Sequence, residues 1–231
     1  VNSNGNTLTV TGNGYGSTGL FSLSNGETAT LTGNIDWNAS NTGINYQTSE
    51  VNNSNLTVNG NTKLTVDNTN SSVWINEIFR FGDKTTDNTT TATFNGDLDI
   101  TANADNVSSS QTLLSAWGTN TTININGNLN LYNTVSGSSS AMANALYAGN
   151  DSAVAAGPTI NINGNTTHIQ AISAYDPKAI TAGDNSSINI NSKTTQVIGN
   201  ISFLGHAAYS STILYPGGTV KAIFSGSNSY W

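Results

Sequence analysis

Thr121-Thr122-Ile123-Asn124-Ile125-Asn126-Gly127-Asn128-Leu129 is the stretch on which the fold turns. It alternates apolar and polar residues, stops at a glycine followed by a carboxamide, and resumes on an apolar residue. Alternation at period two marks a strand with one buried face. The five-residue core of this phrase occurs eight times, as Leu8–Gly12, Ala29–Gly33, Leu56–Gly60, Ala92–Gly96, Ile123–Gly127, Ile160–Gly164, Ile188–Ser192 and Ala222–Gly226. Both apolar slots are filled in every copy, in a chain that is only 35% hydrophobic. A unit of one short strand and a turn cannot bury its apolar edge alone, so neighbouring copies must stack.

The turn positions are 12, 33, 60, 96, 127, 164, 192 and 226, spaced by 21, 27, 36, 31, 37, 28 and 34 residues. Such spacings suit whole coils of a parallel β-helix with loops of variable length. Two more apolar phrases recur in each interval. One follows the turn, as Ile35/Trp37, Leu64/Val66, Leu98/Ile100 and Leu129/Leu131; the other precedes the main strand, as Ile78–Asp83, Leu113–Gly118, Ala145–Asn150 and Ala179–Asp184. Three strands per coil and about eight coils predict an all-β, right-handed parallel β-helix, read as a single segment over residues 1–231 and a piece of a longer surface protein. At about 4.8 Å per rung the rod is roughly 40 Å long. Val10, Leu31, Val58, Phe94, Ile125, Ile162, Ile190 and Phe224 are expected to form one buried column. Glycine with Asn is expected to take positive φ at each turn. Only Ser140 to Ala148 leans toward helix, and it too is read as strand or loop.

The outward slots are as regular as the inward ones: Thr9, Thr30, Thr57, Thr93, Asn124, Asn161 and Asn189, with a break at Ile223. Stacked in register, they form a Thr-then-Asn ladder on one flat face. Such a ladder stabilises the stack. It also offers an uncharged hydrogen-bonding surface to a second rod or a polar glycan, and the two roles are compatible. Thr57, Thr93, Asn124, Asn161 and Asn189 are therefore the candidate self-association face.

Composition excludes several functions. Six Lys plus Arg against thirteen Asp plus Glu give a net charge of −7, with no basic stripe for nucleic acid or for an anionic membrane. No run approaches the roughly 20 apolar residues of a membrane-spanning helix, so no membrane insertion by this segment is expected. Without cysteine there is no disulfide framework and no thiolate metal site, which favours a bacterial origin. No cofactor or metal is expected.

Candidate chemistry is sparse. Only His168 and His206 could serve as a general base, and neither lies near a nucleophilic serine phrase. His168 falls in the slot held by Trp37, Leu64, Ile100 and Leu131; a one-residue slip that buries Ile169 and turns His168 outward is the favoured reading. Asp97 and Asp99 share one face at a spacing suited to a carboxylate pair, but they flank inward Leu98 and Ile100 and are read as solvated. The one charge cluster, Glu77, Arg80, Asp83, Lys84 and Asp87, is read as an exposed loop able to hold Ca²⁺ or a polar ligand, the simpler expectation being that its opposite charges pair weakly with each other. Longer insertions, Asn38 to Asn55, Asp67 to Thr90, Asn133 to Asn144 and Gln170 to Lys178, carry Tyr46, Trp74 and Tyr175. Rings flanked by Asn, Ser and Asp suit carbohydrate stacking; equally, each ring can cap the core beneath its own loop.

The phrases Thr121–Leu129 and Pro158–Asn165, cysteine-free and punctuated by Gly-Asn, resemble the passenger domains of bacterial autotransporter (type V secretion) adhesins. The resemblance implies a right-handed β-helix that is secreted, displayed on the bacterial cell surface, and engaged in adhesion or self-association. The partner would be a host-cell surface glycan or protein, or another copy of the chain. The expected function is thus a non-enzymatic adhesin segment; a carbohydrate-active enzyme on the same scaffold and a plain structural spacer are the alternatives.

Overall fold

The computed structural model describes residues 7–13, 21–40, 49–68, 77–83, 89–105, 111–136, 142–149, 157–183, 185–203, 212–214 and 219–223. Among them there is strand but no helix, and all pairing between neighbouring strands is parallel.

The chain winds as a right-handed parallel β-helix with three sheets. Sheet 1 carries the repeated phrase: β3 (Thr28–Thr32), β6 (Asn55–Asn59), β9 (Thr90–Phe94), β12 (Thr121–Ile125), β15 (Thr159–Ile162), β18 (Ser187–Ile190) and β21 (Thr212–Leu214). Sheet 2 follows the Gly-Asn turn: β1 (Leu8–Asn13), β4 (Ile35–Ser40), β7 (Thr62–Asn68), β10 (Leu98–Asp105), β13 (Leu129–Ser136), β16 (Thr166–Ser173), β19 (Thr194–Ile198) and β22 (Thr219–Ile223). Sheet 3 precedes the phrase: β2 (Ser22–Leu23), β5 (Ser49–Val51), β8 (Glu77–Phe81), β11 (Gln111–Trp117), β14 (Met142–Gly149), β17 (Asp176–Ala182) and β20 (Asn200–Phe203). Among the described residues, seven triplets of sheet 3, sheet 1 and sheet 2 strands follow β1. The segment with helical leaning is β14.

Two of the eight phrases belong elsewhere. The strand of Leu8–Gly12 pairs with β4, placing Val10 beside Trp37 and Thr9 beside Asp36. Ala222 and Ile223 pair with Val197 and Ile198 in sheet 2, and Phe224 lies outside the described residues. The predicted column therefore runs from Leu31 through Val58, Phe94, Ile125, Ile162 and Ile190. All but the half-buried Leu31 are at most 1% exposed. The misplacement has a simple cause: strands on either side of the turn share one alternation, so a phrase at a rod end does not say which sheet it joins.

Sheet 3 has a feature absent from the other two. Its pairing runs Thr112↔Asn144↔Lys178 and Leu114↔Leu146↔Ile180, skipping the residue between. Two successive side chains per coil are consequently buried, as in Ile78/Phe79, Leu113/Leu114, Ala145/Leu146 and Ala179/Ile180. The strand bends there, and β20 loses the extra residue with a register shift. Inside the bend, Asn133 of sheet 2 is fully buried, and its amide donates to the Gln111 carbonyl at 2.9 Å and the Asn144 carbonyl at 2.8 Å. The amide nitrogen is thus satisfied by backbone acceptors from two coils, while Asn133 Oδ1 is buried without a hydrogen-bond partner. Alternation through Leu129, Leu131 and Val135 is the sequence signal that places Asn133 inward, although it begins a stretch read as an insertion.

The turn glycines are required for a reason other than φ. Gly33 alone in that column has positive φ, at 113°. A Cβ on Gly60, Gly96, Gly127 or Gly164 would instead lie 2.1–2.5 Å from the carbonyl oxygen of the glycine one coil before. Each glycine therefore sits flat on the last. The following residue completes the turn: the side-chain oxygens of Asn34, Asn61 and Asp97 accept the backbone N–H of Asn61, Asp97 and Asn128 at 2.8–2.9 Å. Only an acceptor is needed, so Asp97 replaces Asn without loss. Asn128 instead accepts from Thr166, one residue beyond Asn165, because that turn holds an extra residue. On this wider turn the glycine column ends, and buried Ser192 reaches the Thr167 hydroxyl at 2.6 Å. Positive φ does occur at the opposite corner, between sheets 3 and 1, at Asn25, Gly26, Asn53, Gly82, Gly118 and Asn185.

Gly127→Ala is expected to cost about 3 kcal/mol in urea unfolding, from overpacking against the Gly96 carbonyl. Gly26→Ala, with open space around its Cβ, is expected to cost only the roughly 1–2 kcal/mol of a left-handed backbone. Equal midpoints for the two variants would remove the stacked-glycine explanation.

Candidate functional site

The outer face of sheet 1 is built from three outward positions on each of six coils. They are Thr28/Thr30/Thr32, Asn55/Thr57/Asn59, Thr91/Thr93/Asn95, Thr122/Asn124/Asn126, Thr159/Asn161/Asn163 and Ser187/Asn189/Asn191. Every one is Thr, Asn or Ser, none carries charge and none is buried. The predicted face of Thr57, Thr93, Asn124, Asn161 and Asn189 lies in one register column that begins at Thr30. Thr9 is not in it, and Ile223 is not its break, since both belong to sheet 2.

The carboxamides form two continuous chains of hydrogen bonds. In one, Asn161 Nδ2 donates to Asn124 Oδ1 at 2.9 Å and Asn189 Nδ2 to Asn161 Oδ1 at 2.8 Å. In the other, Asn95, Asn126, Asn163 and Asn191 each donate to the Asn one coil before, starting from Asn59, at 2.7–3.2 Å. Each exposed bond contributes modestly, about 1 kcal/mol or less, but aligned repetition holds the amides in one geometry. The sheet 2 exterior is unlike this face: Asp36, Lys63 and Asp99 stack there in one column.

Within the charge cluster, Glu77 and Arg80 do not lie in an exposed loop. Glu77 and Arg80 lie on β8, only 8% and 9% exposed, on the outer side of sheet 3. Arg80 Nε is 3.9 Å from Glu77 Oε2 and donates to the Gly82 carbonyl at 3.1 Å; Arg80 Nη2 is 3.4 Å from Asp83 Oδ1. Trp117 Nε1 donates to Glu77 Oε1, and the Trp117 ring stacks on Tyr147 with centroids 4.5 Å apart. The alternation of Phe79-Arg80-Phe81 puts the rings in the core and leaves Arg80 lying along the strand, which a count of charges in the sequence does not reveal. A pair this desolvated persists only because both partners also hold hydrogen bonds. Lys84 and Asp87 lie outside the described residues, as do Tyr46, Trp74 and His206.

Tyr175 is 55% exposed, at a two-residue turn rather than in a long insertion, since β16 ends at Ser173 and β17 starts at Asp176. Asp97 and Asp99 point outward as expected, and both work within the stack: Asp97 accepts from the Asn128 backbone and Asp99 pairs with the Asn130 amide. Among the described residues, no group of three His, Cys, Asp or Glu side chains could hold a metal ion.

His168 is outward on β16, with Ile169 fully buried opposite Leu131, as the one-residue slip requires. The imidazole lies against the Tyr132 ring at 4.7 Å. Burial lowers its pKa below the ordinary 6.5, and a hydrogen bond with Gln170 only partly offsets this.

Comparison with known proteins yields no relative: no family model matches the chain, and neither a curated protein nor a solved structure does so.

Two outcomes follow from these contacts. Arg80→Met should cost about 3 kcal/mol in urea unfolding, because Glu77 loses its cation while remaining withdrawn from water; an unchanged midpoint would show the pair to be dispensable. For His168, the folded pKa lies below the unfolded value, so the unfolded chain binds protons first as pH falls. Its stabilising share is complete above about pH 6.5 and declines below it. The stability difference between the native chain and His168→Asn should therefore shift against the native chain between pH 7 and pH 5, and a pH-independent difference would contradict the desolvated imidazole.

Proposed function

We propose that this chain is a segment of a bacterial surface adhesin of the autotransporter passenger type, a stiff rod whose carboxamide face meets a second rod or a host-surface glycan or protein. The outer face of sheet 1 carries the reading: eighteen outward side chains over six coils, all Thr, Asn or Ser, in ladders that run along the rod. A rod that only spaced two domains apart would have no need of an uncharged face on one side and mixed charge on the next.

The dimensions favour a weak, repeated contact. Three outward positions span about 14 Å, and six rungs span about 24 Å, giving roughly 350 Å² of flat face. A stable one-to-one interface covers about 800 Å² per partner. One rod on one rod is therefore a low-affinity contact, and strength comes from many copies engaging together on a cell surface. Self-association fits this best, because a face of amides and hydroxyls complements itself donor for acceptor.

Cells displaying the chain should clump, and Thr93→Lys/Asn124→Lys/Asn161→Lys should abolish clumping through like-charge repulsion, with partial recovery in about 0.5 M salt. Thr65→Lys/Thr101→Lys on the sheet 2 exterior should leave clumping intact. Failure of native-chain cells to clump or to bind host cells would reject the adhesin reading. Unchanged clumping by the triple lysine variant would reject sheet 1 as the contact.

A further inference from the structure

The two amide ladders on sheet 1 are alike in their side chains and differ in the residue that follows. Asn124, Asn161 and Asn189 are each followed by isoleucine, whereas Asn59, Asn95, Asn126 and Asn163 are each followed by glycine. That glycine is obligatory, since a Cβ on Gly60, Gly96, Gly127 or Gly164 would strike the glycine carbonyl one coil before. Rung spacing therefore places an unhindered backbone nitrogen directly beside an exposed carboxamide. Asn59 closes β6, and Asn95, Asn126 and Asn163 lie just beyond the ends of β9, β12 and β15, where the chain leaves the extended strand. Among the described residues, the N–H groups of these four glycines make no backbone hydrogen bond. Each of the four carboxamide oxygens accepts an N–H from the next coil at 2.7–3.2 Å, given in turn by Asn95, Asn126, Asn163 and Asn191. A donor on that oxygen draws electrons from Cγ and steadies an oxyanion formed there.

We propose that Asn59, Asn95, Asn126 and Asn163 deamidate spontaneously and turn the neutral face of sheet 1 anionic as the protein ages. The glycine nitrogen gives its proton to solvent base and bonds to the preceding Asn Cγ; the Cγ–Nδ2 bond breaks and the amide nitrogen leaves as ammonia. A cyclic imide remains, and water opens it at either carbonyl, to aspartate or to isoaspartate. In sum, each site consumes one water and yields one carboxylate and one ammonium ion. Asn124, Asn161 and Asn189 are spared, because β-branched isoleucine crowds its own backbone nitrogen. The same dipeptide at the opposite corner, Asn25-Gly26, is slowed for another reason: the Gly26 N–H is committed to the Asn53 carbonyl at 2.6 Å. The product does not fit the ladder it replaces. A carboxylate only accepts, so one formed at position 126 loses the bond that Asn126 gave to Asn95 and sets oxygen against oxygen. Carboxylates on successive rungs, about 4.8 Å apart, also repel one another along the rod and across to a second rod. This consequence for adhesion rests on self-association through sheet 1; the chemistry itself does not.

The test is to hold the folded 231-residue chain in mildly alkaline buffer over several weeks and to map ammonia loss by peptide mass spectrometry that separates aspartate from isoaspartate. Loss at Asn59, Asn95, Asn126 and Asn163 should run about tenfold or more faster than at Asn124, Asn161 and Asn189, equivalent to ~1.4 kcal/mol of barrier, and should quicken as pH rises. Equal rates in the two ladders overturn the proposal. So does loss at the four sites only when the chain is unfolded in urea, which would show that the stack shields Cγ. Clumping is read separately. Cells displaying Asn95→Asp/Asn126→Asp/Asn163→Asp should clump several-fold less than native cells and recover in about 0.5 M salt. Equal clumping by the variant, or a loss that salt does not restore, overturns deamidation as a switch of the face. Native cells that never clump would remove the self-association reading instead, while the mapped ammonia loss still decides the modification.

Discussion

Each coil of this protein must hydrogen-bond to the next along its whole backbone, about 4.8 Å away, and that spacing leaves no room for mismatch. The consequence is plainest at the Gly-Asn turn, where any Cβ would collide with the previous glycine's carbonyl oxygen. With the glycines flat on one another, the next residue's side-chain oxygen can reach the following coil's N–H, and the turn repeats. Stacking like over like then propagates outward from the turn. Apolar residues meet apolar residues in the core, and amides meet amides on the surface.

The same constraint explains how irregularity is absorbed. Coil length varies in the connections, while the strands keep register, so a rung can take up one extra residue without disturbing its neighbours. The turn before β16 does so, and it both swings His168 outward and opens the space that Ser192 fills. The bend in sheet 3 is a second such device, repeated through four coils and stapled from inside by Asn133. Core volume is balanced within rungs as well. The coil holding Phe79, Phe81 and Phe94 also carries Ala92, Ala102 and Ala104, whereas the next coil fills the space with Leu and Ile.

The three faces differ in chemistry although the backbone repeats. Sheet 1 offers paired, uncharged amides; sheet 2 mixes charges; sheet 3 withdraws an ion pair from water beside Trp117. Because a solenoid places only neighbouring coils in contact, each face can change along its length without cost to the rest.

Period-two alternation, the glycine at each turn and the acceptor after it were enough to determine a stacked parallel rod, because each is a local demand of strand, turn and rung spacing. The Thr and Asn column was legible for the same reason: the register that buries Ile125 necessarily exposes Asn124. Tertiary structure alone decided which sheet the end phrases join, since strands on both sides of the turn obey one pattern. It also decided that Glu77 and Arg80 are withdrawn from water. Those are facts about what lies one coil away, some 20 to 40 residues distant in the chain, and no local pattern of residues records them.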